Sequence, residues 1–322
     1  MKAIVHDTYG SADVLRLDEV AAPEPGAGEV LLRVRAAGVD RGVWHMMVGR
    51  PYVARPMFGV RRPRIRVPGM DVAGVVERVG TRVSGFAPGD EVFGIGTGTY
   101  AELAVAPAEK LVRKPEGTSF EQAAAVAISG LTALQAVRDV GKVRFGQSVL
   151  VIGAAGGVGT FAVQIAKGAG AEVTGVCSTA KLDLVRSIGA DHVVDYTRDD
   201  IVEGGVRYDV VIDIAGNRTL RALRRVLTPT GTLVIVGGEE GGPWVGGLQR
   251  NLWAALWSPL IGQHLRAFVS KELGEDIAVL AGMLAAGTLT PVVERTYPLA
   301  EAADAIRALE DGQVRGKVVV TV

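Results

Sequence analysis

The stretch VLVIGAAGGVGTFAVQIAKGAGAEVTGVCSTAKLDLVR, Val149–Arg186, decides the fold. Four apolar residues, Val149 to Ile152, run straight into a turn carrying Gly153, Gly156, Gly157 and Gly159, and a helix-like segment, residues 158–169, follows. Glycines let a backbone turn sharply and come close to a phosphate, and the start of a helix adds the positive end of its dipole. Taken strictly the pattern is A-x-G-x-x-G, with Ala154 standing where the first glycine usually lies. Such a turn gains meaning from a strand before it and a helix after it within a repeated βα array. Here it predicts a dinucleotide cradle formed by Ala155, Gly156, Gly157 and Val158.

The array continues downstream. SVLVIG, EVTGVC, HVVDY, YDVVIDIAG and GTLVIVGG read as strands, and AKLDLVRSIG and RTLRALRRVL read as helices between them. Apolar strands separated by helices imply a parallel sheet covered on both faces. Ligands of such sheets bind beyond the carboxyl ends of the strands, so Gly237 and Gly238, closing the fifth strand, are expected to line the nicotinamide pocket. The end of the second strand selects the cofactor. An NAD site usually places Asp or Glu there for the ribose 2′-hydroxyl. This chain reads VCSTAK, with no acid over residues 176–180 and with Ser178, Thr179 and Lys181 instead. Hydroxyls and a cation suit a 2′-phosphate, so the expected cofactor is NADPH. The competing reading makes Ser178 and Lys181 merely the cap and surface of the next helix.

Up to Val112 the grammar is different: short apolar runs such as EVLLRVRAAGV, DVAGVVERVG and DEVFGIG, broken by Gly and Pro, typical of a β-rich domain. Thr118 with Glu121, or Ser119 with Gln122, then has capping-box spacing ahead of an Ala-rich helix. The tail, residues 287–322, reads strand, helix, strand. The expected division is residues 1–120 for a catalytic domain, 121–265 for the cofactor domain, and 266–322 for a segment returning to the first. The 322 residues fit two domains, and Lys plus Arg balance Asp plus Glu at 35 each, which argues against nucleic acid as a partner. Cys177, the single cysteine, excludes an intramolecular disulfide and suggests a reducing compartment. The run Trp244–Gly262 carries Gln249, Arg250 and Pro259, which a membrane span rarely tolerates. With no signal-like region in MKAIVHDTYG, a soluble cytoplasmic protein is expected.

Five stretches together carry a resemblance: AAGVD (Ala36–Asp40), PGMDVAGVVERVG (Pro68–Gly80), PGDEVFG (Pro88–Gly94), AAGGVG (Ala154–Gly159) and GADHVVDY (Gly189–Tyr196). They resemble the medium-chain dehydrogenase/reductase superfamily along essentially the whole chain. That resemblance implies an α/β fold: a GroES-like β-rich catalytic domain plus a Rossmann doubly wound parallel-sheet cofactor domain. Zinc members of the superfamily have Cys after the first Gly-Val and His-Glu after the Pro-Gly, where this chain has Asp40 and Met70-Asp71. His6, His45, His192 and His264 show no ligand spacing, so no metal site is expected. The AAGGVG loop is similar to that of the zinc-independent quinone oxidoreductase (zeta-crystallin-like) branch.

The branch implies roles for individual positions. Ser178, Lys181 and Tyr196 become contacts of the NADPH 2′-phosphate and adenosine. Thr132 becomes a contact on the nicotinamide side, or else a helix-interior threonine bonding its own backbone. Asp40 stands where the branch commonly has Asn, and His45, read as a loop residue, where it often has Tyr; either could assist proton delivery, or water could serve. Without a Lewis acid to hold an alkoxide, reduction of an already electrophilic acceptor is the easier chemistry. The expectation is a zinc-independent NADPH-dependent reductase passing hydride to a quinone or an α,β-unsaturated carbonyl. Alternatives are an enoyl-thioester reductase, an alcohol or ketone dehydrogenase, and a non-catalytic NADPH-binding redox sensor. Arg61, Arg62, Arg64 and Arg66 read as a solvated loop at the rim of a site, or as an attractor for an anion. The Trp244–Trp257 segment reads as a lid or a subunit contact, and a homodimer is the expected assembly.

Overall fold

The computed structural model describes residues 1–238 and 242–322. Strand β1 (Lys2–Val5) lies antiparallel to β2 (Arg16–Glu19). The eleven-residue β3 (Glu29–Val39) follows. Helix α1 (Arg41–Val48) starts where Asp40 caps the Val43 amide and stops at Gly49, whose φ of 63° suits glycine. A single turn, α2 (Arg55–Phe58), leads to β4 (Asp71–Val79), β5 (Glu91–Ile95), β6 (Leu103–Pro107) and β7 (Leu111–Arg113). Of the two possible capping boxes, Ser119 with Gln122 forms, opening α3 (Phe120–Ala124), and α4 (Ala127–Gln135) follows. The alternating region then holds β8 (Ser148–Ile152), α5 (Gly157–Gly168), β9 (Glu172–Cys177), α6 (Leu182–Ser187), β10 (His192–Asp195), β11 (Tyr208–Asp213), α7 (Leu220–Arg225), β12 (Leu227–Ile235), α8 (Leu248–Trp257) and β13 (His264–Ala267). The chain ends with α9 (Gly274–Ala285), β14 (Val293–Pro298), α10 (Ala302–Glu310) and β15 (Lys317–Thr321).

Two compact units result: Met1–Leu131 with Glu272–Val322, and Thr132–Lys271. In the first unit a seven-stranded sheet runs β14-β15-β3-β4-β5-β7, with β6 also paired to β3. The last strand of the chain, β15, is antiparallel to β3, from Val318 against Val39 to Thr321 against Ala36. One face of that sheet buries Leu32, Val34, Val72, Val92, Val318 and Val320, with Ile306 of α10 packed on the same core. Each such side chain contributes about 1.5–3 kcal/mol relative to exposure.

The second unit is a six-stranded parallel sheet in the order β10-β9-β8-β11-β12-β13. Numbered within the unit this is 3-2-1-4-5-6, the doubly wound Rossmann arrangement, whose order reverses between β8 and β11. The strands are apolar on both sides because helices cover both faces: Val149, Leu150, Val151, Val211 and Ile212 are all fully buried. Helix α5 buries Phe161, Ala162 and Ile165 against the sheet. Among the described residues no helix is long and apolar enough to cross a membrane. Helix α8 leaves Trp244 before it, and Leu252, Trp253 and Leu256 along it, exposed.

Cys177, at the end of β9, is buried, and burial pushes its thiol above the usual range. The thiolate is the reactive form, so a thiol reagent should modify Cys177 slowly in the native protein and at once in urea. Equal rates in the two conditions would contradict the placement.

Candidate functional site

The glycine turn forms the centre of the second unit's candidate site. Gly153 has a φ of +86°, which only glycine adopts without strain. Its amide and that of Ala154 both donate to Val176 O, tying the turn to the neighbouring strand. A Cβ on Gly159 would lie 2.1 Å from Gly153 O, so the helix start packs directly on the turn. Gly156 is the N-cap of α5 and offers no side chain to the first-turn amides. Those N–H groups, with the helix dipole behind them, are the donors an anion needs. Ala155, Gly156, Gly157 and Val158 thus converge on one feature, an uncapped helix start at the carboxyl end of β8. The helix begins at Gly157, one residue ahead of the sequence expectation, because Gly156 takes the cap.

The ends of the next two strands stand beside it. Ser178 precedes a single helical turn, and its side chain makes no capping hydrogen bond. Lys181 closes that turn. Tyr196 follows β10, donates its amide to Cys177 O at 3.1 Å and keeps its ring half exposed. Asp195, unremarked in the sequence, accepts hydrogen bonds from the Thr179 and Thr197 hydroxyls. The Thr179 hydroxyl in particular holds its carboxyl below the usual carboxylate range. Gly237 donates to Asp213 O, and a Cβ there would strike Ile214 O, so β12 ends in close backbone contact with the end of β11. Gly238 in turn packs against the backbone of Gly247. The Thr132 hydroxyl donates to Ser270 Oγ at 3.1 Å, three residues past β13.

In the first unit a cavity of about 390 Å³ is lined by Val43, Met46, Met47, Met57, Phe58 and Met70 among others. Four of the six methionines in the chain therefore meet in one place. The Arg55 guanidinium lies 4.7 Å from the Tyr9 ring and 4.5 Å from the Tyr52 ring, which fixes the segment carrying Met57 and Phe58. The polar lining is sparse. His6 donates Nε2–H to Ile65 O, and burial lowers its pKa below the usual imidazole value. Lys110 and Glu272 pair at 2.6 Å. Arg64, from the basic stretch, also reaches the lining, whereas Arg66 pairs with Asp7 and Arg61 and Arg62 are exposed.

Neither Asp40 nor His45 belongs to that lining. His45 lies in α1 rather than in a loop, because Asp40 and Gly49 bracket an eight-residue helix. Its Nδ1–H donates to Arg50 O at 3.1 Å, and its ring stands edge-on to Trp44. Asp40 Oδ1 accepts the Val43 amide at 3.1 Å, while Oδ2 is buried with no hydrogen-bond partner among the described residues.

The first unit also holds a buried charge cluster. Asp71 is fully buried; Oδ1 accepts the Ile128 amide at 2.7 Å, and Oδ2 faces Lys317 Nζ at 3.3 Å. Lys317, equally buried, also donates to Ser129 Oγ at 3.2 Å. Burial, with the Asp40 charge nearby, raises the Asp71 carboxyl to about 6 against the pull of Lys317 and the Ile128 amide. These residues do not fit the zinc of the superfamily's metal enzymes. The corresponding positions hold a helix-capping carboxylate, a thioether, and a carboxylate already paired with an ammonium. Among the described residues no three His, Cys, Asp or Glu side chains are grouped to share an ion.

Two family models match the chain: the alcohol dehydrogenase GroES-like domain over residues 26–116 and the zinc-binding dehydrogenase over residues 188–320. The 2-methylene-furan-3-one reductase of Solanum lycopersicum is 33% identical over 336 residues, covering 99% of this chain and 79% of the relative. The structure of the quinone oxidoreductase from Coxiella burnetii matches with a TM-score of 0.88 and 28% identity, covering 100% of this chain and 99% of that one. The Escherichia coli quinone oxidoreductase complexed with NADPH matches with a TM-score of 0.85 and 26% identity over 100% of both chains. The chain belongs to the medium-chain dehydrogenase/reductase superfamily, with a GroES-like unit and a Rossmann unit. It is an oxidoreductase of that superfamily.

Proposed function

We propose that the protein is a zinc-independent, NADPH-dependent reductase that passes hydride to a quinone or to the C=C bond of an α,β-unsaturated carbonyl. The observation that carries this reading is the pairing, in one chain, of an uncapped glycine turn with a methionine-lined apolar cavity that offers no zinc donor set. The reduced nicotinamide supplies the hydride; the chain binds, orients and excludes water. Ala155 to Val158 hold the pyrophosphate on the α5 N-terminus. Ser178, Lys181 and Tyr196 take the 2′-phosphate and adenosine, and Thr132, Gly237 and Gly238 line the nicotinamide side. In the first unit, Met46, Met57, Met70 and Phe58 surround the acceptor's conjugated body. Thioethers are polarisable and adaptable, which suits flat electron-poor rings of varied outline. The negative charge that arrives with the hydride delocalises onto the acceptor's own oxygen. Water supplies the proton, since Asp40 Oδ1 is a helix cap and His45 Nδ1–H is directed to Arg50 O.

The test is cofactor oxidation with a small quinone, NADPH beside NADH, in the presence of a chelator. NADPH should be used faster, and the chelator should change nothing. Lys181→Ala should cut the preference for NADPH by about tenfold, the worth of one charge-assisted hydrogen bond. Equal use of the two cofactors by the wild type would overturn the NADPH assignment, and loss of activity to the chelator would overturn the zinc-independent chemistry.

A further inference from the structure

Residues 41–70 contain seven arginines and no lysine, aspartate or glutamate. A stretch of one sign sets up a positive field unless acids from elsewhere in the fold cancel it. The fold cancels little of this one. Arg66 pairs with Asp7 at 2.7 Å, and Arg55 is held by the Tyr9 and Tyr52 rings and by donating to Gly49 O at 3.1 Å. Arg61, Arg62 and Arg64 are exposed and have no carboxylate partner among the described residues. Of these three, Arg64 reaches the methionine-lined cavity. Its amide donates to Phe58 O at 2.8 Å, which seats it against the segment that carries Met57 and Phe58. Burial raises the pKa of the Tyr9 phenol, and the Arg55 and Arg64 charges pull against that rise, so both cations stand near one ring. The other ionisable groups of the lining are Lys110 and Glu272, which pair with each other at 2.6 Å, and His6, whose pKa burial lowers. Arg64 is therefore the lining cation left without a counter-charge among the described residues.

A hollow shaped only for a neutral quinone or enone has no use for that charge. A solvated arginine on a mixed surface has acids among its neighbours, and here thirty consecutive residues supply none. The planar guanidinium fork matches the two oxygens of a carboxylate or a phosphate. We propose that the acceptor is amphiphilic, its conjugated body against Met46, Met57 and Met70 and an anionic group, carboxylate or phosphate, on Arg64. A volume of about 390 Å³ leaves room for a ring system with a short arm. Arg64 is then a specificity residue, which selects the acceptor by its far end and takes no part in hydride transfer. Arg61 and Arg62, within three positions of it, add to the field that draws the anion in. This rests on reading the cavity as the acceptor site, and adds to that reading a charge the acceptor must carry.

Three acceptors with the same naphthoquinone head and the same short arm test it. The arm ends in a carboxylate, in a phosphate, or in the neutral methyl ester of the carboxylate. Reduction is followed as cofactor oxidation by the full-length protein, and the readout is kcat/KM for each anion divided by that for the ester. Taking the ratio within one protein cancels any general loss of folding or chemistry. The wild type should favour at least one anion by about fivefold, the upper worth of an exposed ion pair, and the larger ratio identifies the group. The preference should lie in KM and shrink at about 1 M salt, where exposed charges are screened. Arg64→Gln should bring the ratio to within about twofold of unity, and Arg64→Lys, which keeps the charge and loses the fork, should fall between. A wild-type ratio near one for both anions would overturn the proposal and leave the reductase reading standing. A preference that survives undiminished in Arg64→Gln would also overturn it, by placing the anion elsewhere. Failure of the wild type to reduce any of the three with NADPH or NADH would instead strike the reductase reading, and the proposal with it.

Discussion

Gly156→Ala is expected to fold and melt like the wild type, yet to bind NADPH roughly 10- to 100-fold more weakly. Among the described residues a Cβ at Gly156 meets nothing nearer than Gly153 O at 3.5 Å, and its φ of −87° is open to alanine. Replacing glycine by alanine at an N-cap costs at most about 1 kcal/mol. The added methyl group enters open space at the helix start, where on the proposed reading the pyrophosphate comes close. Gly159→Ala makes the contrast. There the Cβ falls 2.1 Å from Gly153 O and 2.8 Å from the Ala154 backbone, so the turn itself must shift. That variant should lose about 1–3 kcal/mol of stability as well as cofactor affinity. Calorimetric titration and thermal melting of both proteins separate the two effects. Wild-type affinity in Gly156→Ala would mean that no ligand approaches the turn.

The glycine turn could be read from the sequence because its structure is local. A strand, a turn and a helix within twenty residues specify the cradle, and the neighbouring strands announce themselves by apolar runs. The same holds for Ser178, Lys181 and Tyr196, which follow strand ends in chain order. What escaped the sequence reading is set by pairings across long separations. Lys317 in GKVVVTV reads as an ordinary strand residue, and only the pairing of β15 with β3 brings it to Asp71, 246 positions away. Arg250 reads as a charge that argues against a membrane span; its burial against Asp213 depends on where α8 lands. The four cavity methionines lie within 25 positions of one another, but nothing in their spacing states that they share a hollow. Asp40 carries a signal of the local kind that was passed over: an acid ahead of RGVWHMMV is a helix cap, and it places His45 in a helix rather than a loop.

Lys317→Met should be the most destabilising single change of this set, with a cost that depends on pH. Removing the ammonium leaves Asp71 and Asp40 buried together without a counter-charge, and breaking a buried pair in this way costs about 3–5 kcal/mol. The pH dependence follows from Asp71. Its carboxyl titrates near 3.8 in the unfolded chain and at about 6 in the fold. Between those values the folded state holds the proton more tightly, so stability falls as the pH rises through the window and levels off above about 6. A displacement of that size corresponds to on the order of 3 kcal/mol. Lys317 is the group that keeps the folded value from climbing further, so without it the carboxyl protonates more readily still. The variant should therefore be severely destabilised at pH 8 and recover much of the loss at pH 5, where the proton replaces the missing cation. Asp71→Asn, neutral at every pH, should flatten the wild-type profile across the same window. Urea midpoints at the two pH values for the three proteins measure this directly. An equal loss for Lys317→Met at pH 5 and pH 8 would mean that its cost comes from lost packing, and that the buried charge on Asp71 is not what Lys317 offsets.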